Sequence, residues 1–447
     1  MTYTKILAIL MLLVGRSIAA QTPRELDSAS VWAIYSSNPG NTLGWDNTQP
    51  YNTWEGVSVF NNSGRVWELL LNGKNILSIP EAIGNLSFLL TLSLAANQLT
   101  TLPVELGATI FLTNLELSEN RLTSFPAVIG KLTHLETLDV SSNQLTTIPA
   151  EIGRLASLMY FDISKNQLTS LPNEIGDLTR LNHLYASSNQ LSSLTPEIGK
   201  LFDLTTLNLM ENQLSGLPDE MVTLTSLTQL KLYKNQFTSV PSVIPRITSL
   251  TSLDLTLNQI SSLPVEIGSL TSLTDLNLVG NQLSMLPVEI GNLTSLTTLS
   301  LSFNHLTSLP EELGNLTALL YLPISNNSLS SIPASIGKLT SLAFLNLSMN
   351  RLTSLPPEIG GLIYLTELDL DNNRLTSLPI EFNSFSYLDQ LYIRSNFLPP
   401  AVTTALLLQY PFADVLPQNA PVANLRLESY QNIQKLRSWD LLGRSAR

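Results

Sequence analysis

Asparagine recurs at a fixed interval along most of the chain, and this constrains the fold more than any other feature. It occupies Asn97, Asn120, Asn143, Asn166, Asn189, Asn212, Asn235, Asn258, Asn281, Asn304, Asn327, Asn350, Asn373 and Asn396, fourteen positions that step by 23 residues without a slip. Around each runs LxxLxLxxNxL followed by TSLPxEIGxL, as in LTSLTDLNLVGNQLSMLPVEIGNL at 270–293. An earlier, degenerate copy starts at Val66 and carries Lys74 in place of the asparagine. Such a repeat overrules the division into domains of ~150 residues that length alone would suggest. The xxLxL segment alternates with period two, so it reads as a short strand with leucines inward and variable residues outward. Each coil turns about seven apolar residues inside, for example Leu273, Leu276, Leu278, Leu283, Leu286, Ile290 and Leu293. One coil cannot bury these alone; stacking coils makes one continuous core. The asparagine sits where the chain leaves the strand, where its amide can bond backbone groups of its own and neighbouring coils. Each such group left unsatisfied would cost ~1–3 kcal/mol. A proline such as Pro287 ends the turn and starts a helical or extended segment on the other side of the coil.

Over roughly residues 66–398 this pattern resembles the leucine-rich repeat family. The LPxEIG form is similar to the 23-residue class found in bacterial proteins and in intracellular Ras-group scaffolds. The resemblance implies an α/β fold: a leucine-rich repeat solenoid, curved like a horseshoe, with a parallel sheet on its concave face. About fifteen coils would be closed by a cap at each end, and partners would dock on the concave sheet.

Four of the five tryptophans, Trp32, Trp45, Trp54 and Trp67, fall ahead of the regular repeats, in or beside a segment that lacks them. A solenoid exposes its core at both ends and needs atypical units there. Residues 21–65, with a helix expected near Leu26–Tyr35, fit such a cap. Their order resembles the N-terminal cap of plant-type leucine-rich repeat proteins, with Trp45, Trp54, Gly56, Val57, Arg65 and Val66 matching its W…C.W.GV.C…RV pattern. The flanking cysteines of that cap are missing here: Thr53 precedes Trp54, and Ser58 and Val59 follow Val57. Large rings, each burying ~150–250 Å², are a physical substitute for the missing disulfide. After Asn396 the period breaks, and LPPAVTTALLLQY at 398–410 reads as a capping helix begun by Pro399 and Pro400, with Leu406–Leu408 on the core. The cap is placed at 399–424, and the basic segment 425–447 is expected to be a flexible tail.

The chain has no cysteine, which removes thiolate catalysis, disulfides and cysteine-bound metals. Residues 1–20 combine Lys5, an apolar run from Ile6 to Val14 and small residues at Ser17, Ala19 and Ala20, the form of an export signal. The apolar run is too short to span a bilayer, and none is expected to do so in the mature chain. A net charge of −12 argues against nucleic acid. The expected localisation is the cell envelope or the medium.

On the outward strand positions, acids outnumber bases thirteen to four. They cluster at Glu116, Glu119, Glu136, Asp139 and Asp162, and again at Glu367, Asp369, Asp371 and Asp389, a surface suited to a basic partner. Two aromatic groups interrupt them: Tyr160, His183, Tyr185 and Tyr233 with Lys231 and Lys234, and Phe303, Tyr321, Phe344 and Met349. Tyrosine with neighbouring charge is the usual make-up of a binding hot spot. The candidate partner-binding residues are therefore Tyr160, His183, Tyr185, Lys231, Tyr233, Tyr321, Phe344, Glu367 and Asp369. His134, His183 and His305 are isolated from one another, and no metal-ligand spacing or nucleophile triad is evident, so no catalysis, cofactor or metal is expected. Paired hydroxyls follow eleven of the fourteen asparagines, from Thr100–Thr101 to Thr376–Ser377, and suit tight turns by bonding nearby backbone. The reading is an exported, non-enzymatic protein that binds a protein or surface polymer. Its alternatives are an intracellular Ras-group-like scaffold and, more remotely, an adhesive or ice-binding surface protein.

Overall fold

The computed structural model describes residues 22–416 and 418. The expected export signal at 1–20 and tail at 425–447 lie outside the described residues, as does the C-terminal cap beyond Gln418. The described chain forms two compact units. The first runs up to Gln236 and includes Pro241–Leu250; the second comprises Phe237–Val240 and the residues from Thr251 onward.

The first unit opens with α1 (Pro23–Ser36), slightly longer than the expected Leu26–Tyr35. Its start is fixed by a reciprocal cap, in which Glu25 N donates to Thr22 Oγ1 and Thr22 N to the Glu25 carboxylate. Strand β1 (Val57–Val59) then pairs antiparallel with β2 (Val66–Leu70), so the cap adds a strand against the direction of the repeats. From β2 to β9 (Gln229–Lys231) every neighbouring pair is parallel and shifted by one whole repeat, as in Leu92↔Leu115 and Leu184↔Leu207. The second unit continues the pattern from β10 (Ser252–Asp254) to β16 (Gln390–Tyr392), again all parallel.

In each coil the leucines fill the interior as their spacing requires. Leu273, Leu276, Leu278, Leu283, Leu286, Ile290 and Leu293 are all buried. Burial of one such side chain is worth about 1.5–3 kcal/mol. On the side opposite the strand, the segment after the proline is a single 3-10 turn, such as Val288–Asn292 following the extended Pro287. Glycine suits this turn where coils approach closely: a Cβ on Gly291 would lie 2.4 Å from the carbonyl oxygen of Glu312.

All fourteen repeat asparagines are buried, and their amides work as the chemistry demands. Asn120 Nδ2 donates to the carbonyls of Leu94, Leu117 and Ser118, while its Oδ1 accepts from the N–H of Leu99 (2.9 Å). Each asparagine is preceded by a residue in the left-handed region, with φ of 55° at Glu119, 52° at Leu257 and 58° at Phe303. That conformation costs a non-glycine residue on the order of 1–2 kcal/mol. It turns the N–H of Glu119 onto the carbonyl of Ser141 in the next coil (3.0 Å).

The C-terminal helix corrects one detail of the sequence reading. The helix α2 (Pro400–Gln409) forms, but of Leu406–Leu408 only Leu406 is buried; Leu407 and Leu408 are 40% and 80% exposed. The ten-residue helix presents one side to the core, and three consecutive positions cannot all share it. Beyond that helix the chain still packs on the last coil, out of the 23-residue step. Ala413 and Val415 are buried, Asp414 bridges Tyr392, and Gln418 Oε1 accepts from Asn396 N (3.2 Å). Gln418 Nε2 donates to Ile393 O (2.7 Å) and to Val415 O, so glutamine supplies a further rung of the amide ladder.

Candidate partner-binding surface

The N-terminal tryptophans divide into two roles. Trp45 and Trp54 are buried and stack at 5.1 Å, with Trp32 against Trp54 at 5.5 Å and Tyr35 against Trp32 at 4.6 Å. The indole N–H groups of Trp45 and Trp54 donate to the carbonyls of Glu55 and Asp46, which closes the 45–55 loop on itself. Gly56 carries φ +80°, and a Cβ there would meet Leu70 O at 2.2 Å. Trp67 lies apart on β2, half-buried against Phe60. Beneath them, the fully buried Asp27 accepts two bonds from the Arg65 guanidinium and one from Val66 N. Asn38, also buried, accepts from Leu77 N and Ser78 N and donates to Ile34 O and Ser78 O, an amide hub outside the 23-residue register. Sequence reasoning missed both Asp27 and Asn38, because neither belongs to a periodic pattern.

On the strand face of the first unit, β6 (Tyr160–Asp162) and β7 (His183–Tyr185) bring three expected residues together. The rings of Tyr160 and Tyr185 are 5.3 Å apart, Tyr160 and His183 6.3 Å, and His183 and Tyr185 6.4 Å. The register explains this: Tyr160 pairs with His183, and Asp162 with Tyr185, on successive strands. Burial, then the nearby charges of Asp162 and Asp139, push the Tyr160 phenol up to about 12. Burial also raises the Asp162 carboxyl above its ordinary range, although Ser164 donates to it. His183 Nδ1 is buried and takes no hydrogen bond. Lys231 stands at the end of β9, Tyr233 just after it, and Lys234 pairs with Glu211 at 3.6 Å.

In the second unit, only half of the expected aromatic group assembles. Tyr321 on β13 (Tyr321–Pro323) and Phe344 on β14 (Phe344–Asn346) lie 6.2 Å apart. Phe303 and Met349 instead occupy left-handed turn positions at strand ends. Glu367 and Asp369 lie on β15 (Glu367–Asp369) beside them, and burial raises both carboxyls. The acidic cluster is weaker than its composition implies, because Arg394 holds Asp371 (2.7 Å) and Asp414 (3.2 Å).

Several acids on these faces also have backbone duties. Asp139, Asp162 and Asp369 each accept the N–H two residues on, as Asn208, Asn277 and Asn346 do at the same repeat position. The paired hydroxyls Thr100–Thr101 and Thr376–Ser377 are exposed, and among the described residues they bond no nearby backbone. Also among the described residues, no group of His, Asp and Glu could hold a metal, and no helix is long and apolar enough to cross a membrane.

Comparison with known proteins gives the class. A leucine-rich repeat region model matches residues 104–195 and 261–348, and two further leucine-rich repeat models match 341–362, 364–385 and 246–263. A leucine-rich repeat protein of Leptospira interrogans is 36% identical with a TM-score of 0.69, covering 78% of this chain and 84% of that one. The chain belongs to the leucine-rich repeat family. The ectodomain of a plant membrane receptor kinase from Arabidopsis thaliana, solved with Casparian strip integrity factor 2, is 34% identical with a TM-score of 0.57. The alignment takes in 72% of this chain but 43% of that ectodomain. An internalin of Listeria monocytogenes is 27% identical, TM-score 0.59, over 68% of this chain and 86% of that one. No curated protein sequence matches the chain.

Proposed function

We propose that this is an exported, non-catalytic protein that binds a protein partner through the strand face of its first unit, centred on Tyr160, His183 and Tyr185. One observation carries the reading. Three half-buried rings stand together on adjacent strands beside an acid that burial has raised. Rigid rings with charge at their margin give contact area at small entropic cost. A receptor ectodomain of the same family, crystallised with its factor, supports a binding role. Tyr321, Phe344, Glu367 and Asp369 form a smaller surface of the same make-up on the second unit. Export rests on the signal-like composition of residues 1–20, and the natural protein is expected to begin at Ala20 or Gln21 in the envelope or medium.

Replacing Tyr185 and Tyr233 together by alanine tests the patch. Affinity for the partner captured by the intact chain is expected to fall at least tenfold, with the melting temperature unchanged. Equal affinity in the double variant would overturn the patch.

A further inference from the structure

Two buried carboxylates are matched by an arginine: Asp27 by Arg65 at 2.9 Å and Asp371 by Arg394 at 2.7 Å. Asp162 has no arginine partner: Ser164 and Tyr160 hydrogen-bond it, and Lys165 acts on it only from beyond ion-pair distance. Among the described residues no cation lies within ion-pair distance of it or of Asp139, its register neighbour on the preceding strand. One residue along the same row, Tyr185 pairs with Asp162, and Tyr160 shares its strand. Two half-buried acids are thus held side by side against two tyrosine rings. Like charges at that spacing repel, and removal from water makes the repulsion stronger.

We infer that Asp162, backed by Asp139 and flanked by Tyr160 and Tyr185, seats the guanidinium of an arginine from a basic segment of the partner. This rests on the proposed binding face and names the chemistry that face selects. A guanidinium fits better than an ammonium, because it is planar, bonds a carboxylate through two N–H groups and stacks on aromatic rings. The geometry sets where it lies. Ring centroids 5.3 Å apart are too close to sandwich a cation, which needs about 3.5–4 Å on each side. The guanidinium therefore rests on the outward ring surface, with its N–H groups turned to the Asp162 carboxylate, whose lone pairs can accept further bonds beside those from Ser164 and Tyr160. The row also gives the partner a direction. It runs Asp139, Asp162, Tyr185, Asn208, Lys231, acidic at one end and basic at the other. A segment crossing it places its basic end over Asp162 and a neutral or acidic end over Lys231.

Acetyl-triarginine amide, titrated calorimetrically into the full chain at physiological salt, tests the seat. Saturable binding is expected, at least tenfold weaker in Asp162→Asn and several-fold weaker in Tyr185→Ala. Asparagine retains the bond from the N–H two residues on, as Asn208 does, so Asp162→Asn should fold normally. Asp254→Asn, at the same repeat position in the second unit, should bind like the parent. The inference is overturned by no saturable binding, by equal binding in Asp162→Asn, by an equal loss in Asp254→Asn, or by trilysine binding as tightly as triarginine. A partner whose affinity falls in the Tyr185/Tyr233 double variant while triarginine fails to bind leaves the face standing and removes the cation seat alone. Triarginine bound through Asp162, with partner affinity indifferent to the tyrosines, removes the partner face and keeps the seat.

Discussion

Asp371 lies just past β15 and Asp162 ends β6, and both are pressed against protein, yet only Asp371 is paired with an arginine. Arg394 reaches Asp371 from the next coil through two guanidinium nitrogens, at 2.9 and 2.7 Å. The strand that follows Asp162 offers Tyr185 where an arginine would have to stand. The first acid is therefore part of how its unit holds together. The second bears a partly desolvated charge offset only by hydrogen bonds from Ser164 and Tyr160 and by the more distant Lys165, which suits it to a cation from another molecule. Composition alone made the two clusters look alike.

The contrast can be broken most forcefully at the N-terminal cap, where pairing is deepest. Arg65→Met strands the fully buried Asp27 without its cation, and should cost about 3–5 kcal/mol in denaturant unfolding. A loss below about 1 kcal/mol would mean that the pair is not structural. Arg394→Met should cost less, about 1 kcal/mol, because the Arg394 side chain is 42% exposed and its pairing is screened. The smallest effect is expected at Asp162, and with the opposite sign. Burial raises its carboxyl in the folded state, so the folded chain holds that proton more tightly than the unfolded one. The associated stability is present below the unfolded value near ~3.9 and is lost as pH rises through the folded value. Asp162→Asn should therefore raise the melting temperature by roughly 1 °C at pH 7, with no gain once the pH falls below about 4. A destabilised variant at pH 7 would show that the charge is already compensated.

Most of the scaffold was legible because one spacing dictates it. The seven inward positions of a coil, the strand register and the amide ladder all follow from a step of 23. What the spacing could not reveal lies where chemistry is kept but spelling changes. Gln418 performs the ladder's work with a longer side chain and a step of 22 from Asn396, so a search for asparagine passes over it. Asn38 and Asp27 act once each, through contacts across 38 to 40 positions of sequence, and no local pattern marks them. At the candidate surface the sequence placed Tyr160, His183 and Tyr185 correctly side by side. It overstated the second cluster, since the pairing of Asp371 with Arg394 depends on two side chains meeting across coils.

The ladder also has a hereditary side. Asn120 bonds a carbonyl 26 positions earlier, and its oxygen takes an amide 21 positions earlier; Asn143 and Asn166 repeat those offsets. Duplicating or deleting one whole repeat leaves every remaining amide with the same two neighbours. Gaining or losing a fraction of a repeat shifts those offsets for the asparagines on either side of the change. Unequal exchange between near-identical repeats supplies changes of that permitted size, so the length of such a molecule can drift by whole coils while its core survives. The isolated row from Asp139 to Lys231, assembled from five different coils, has no such protection and would be split by the same event.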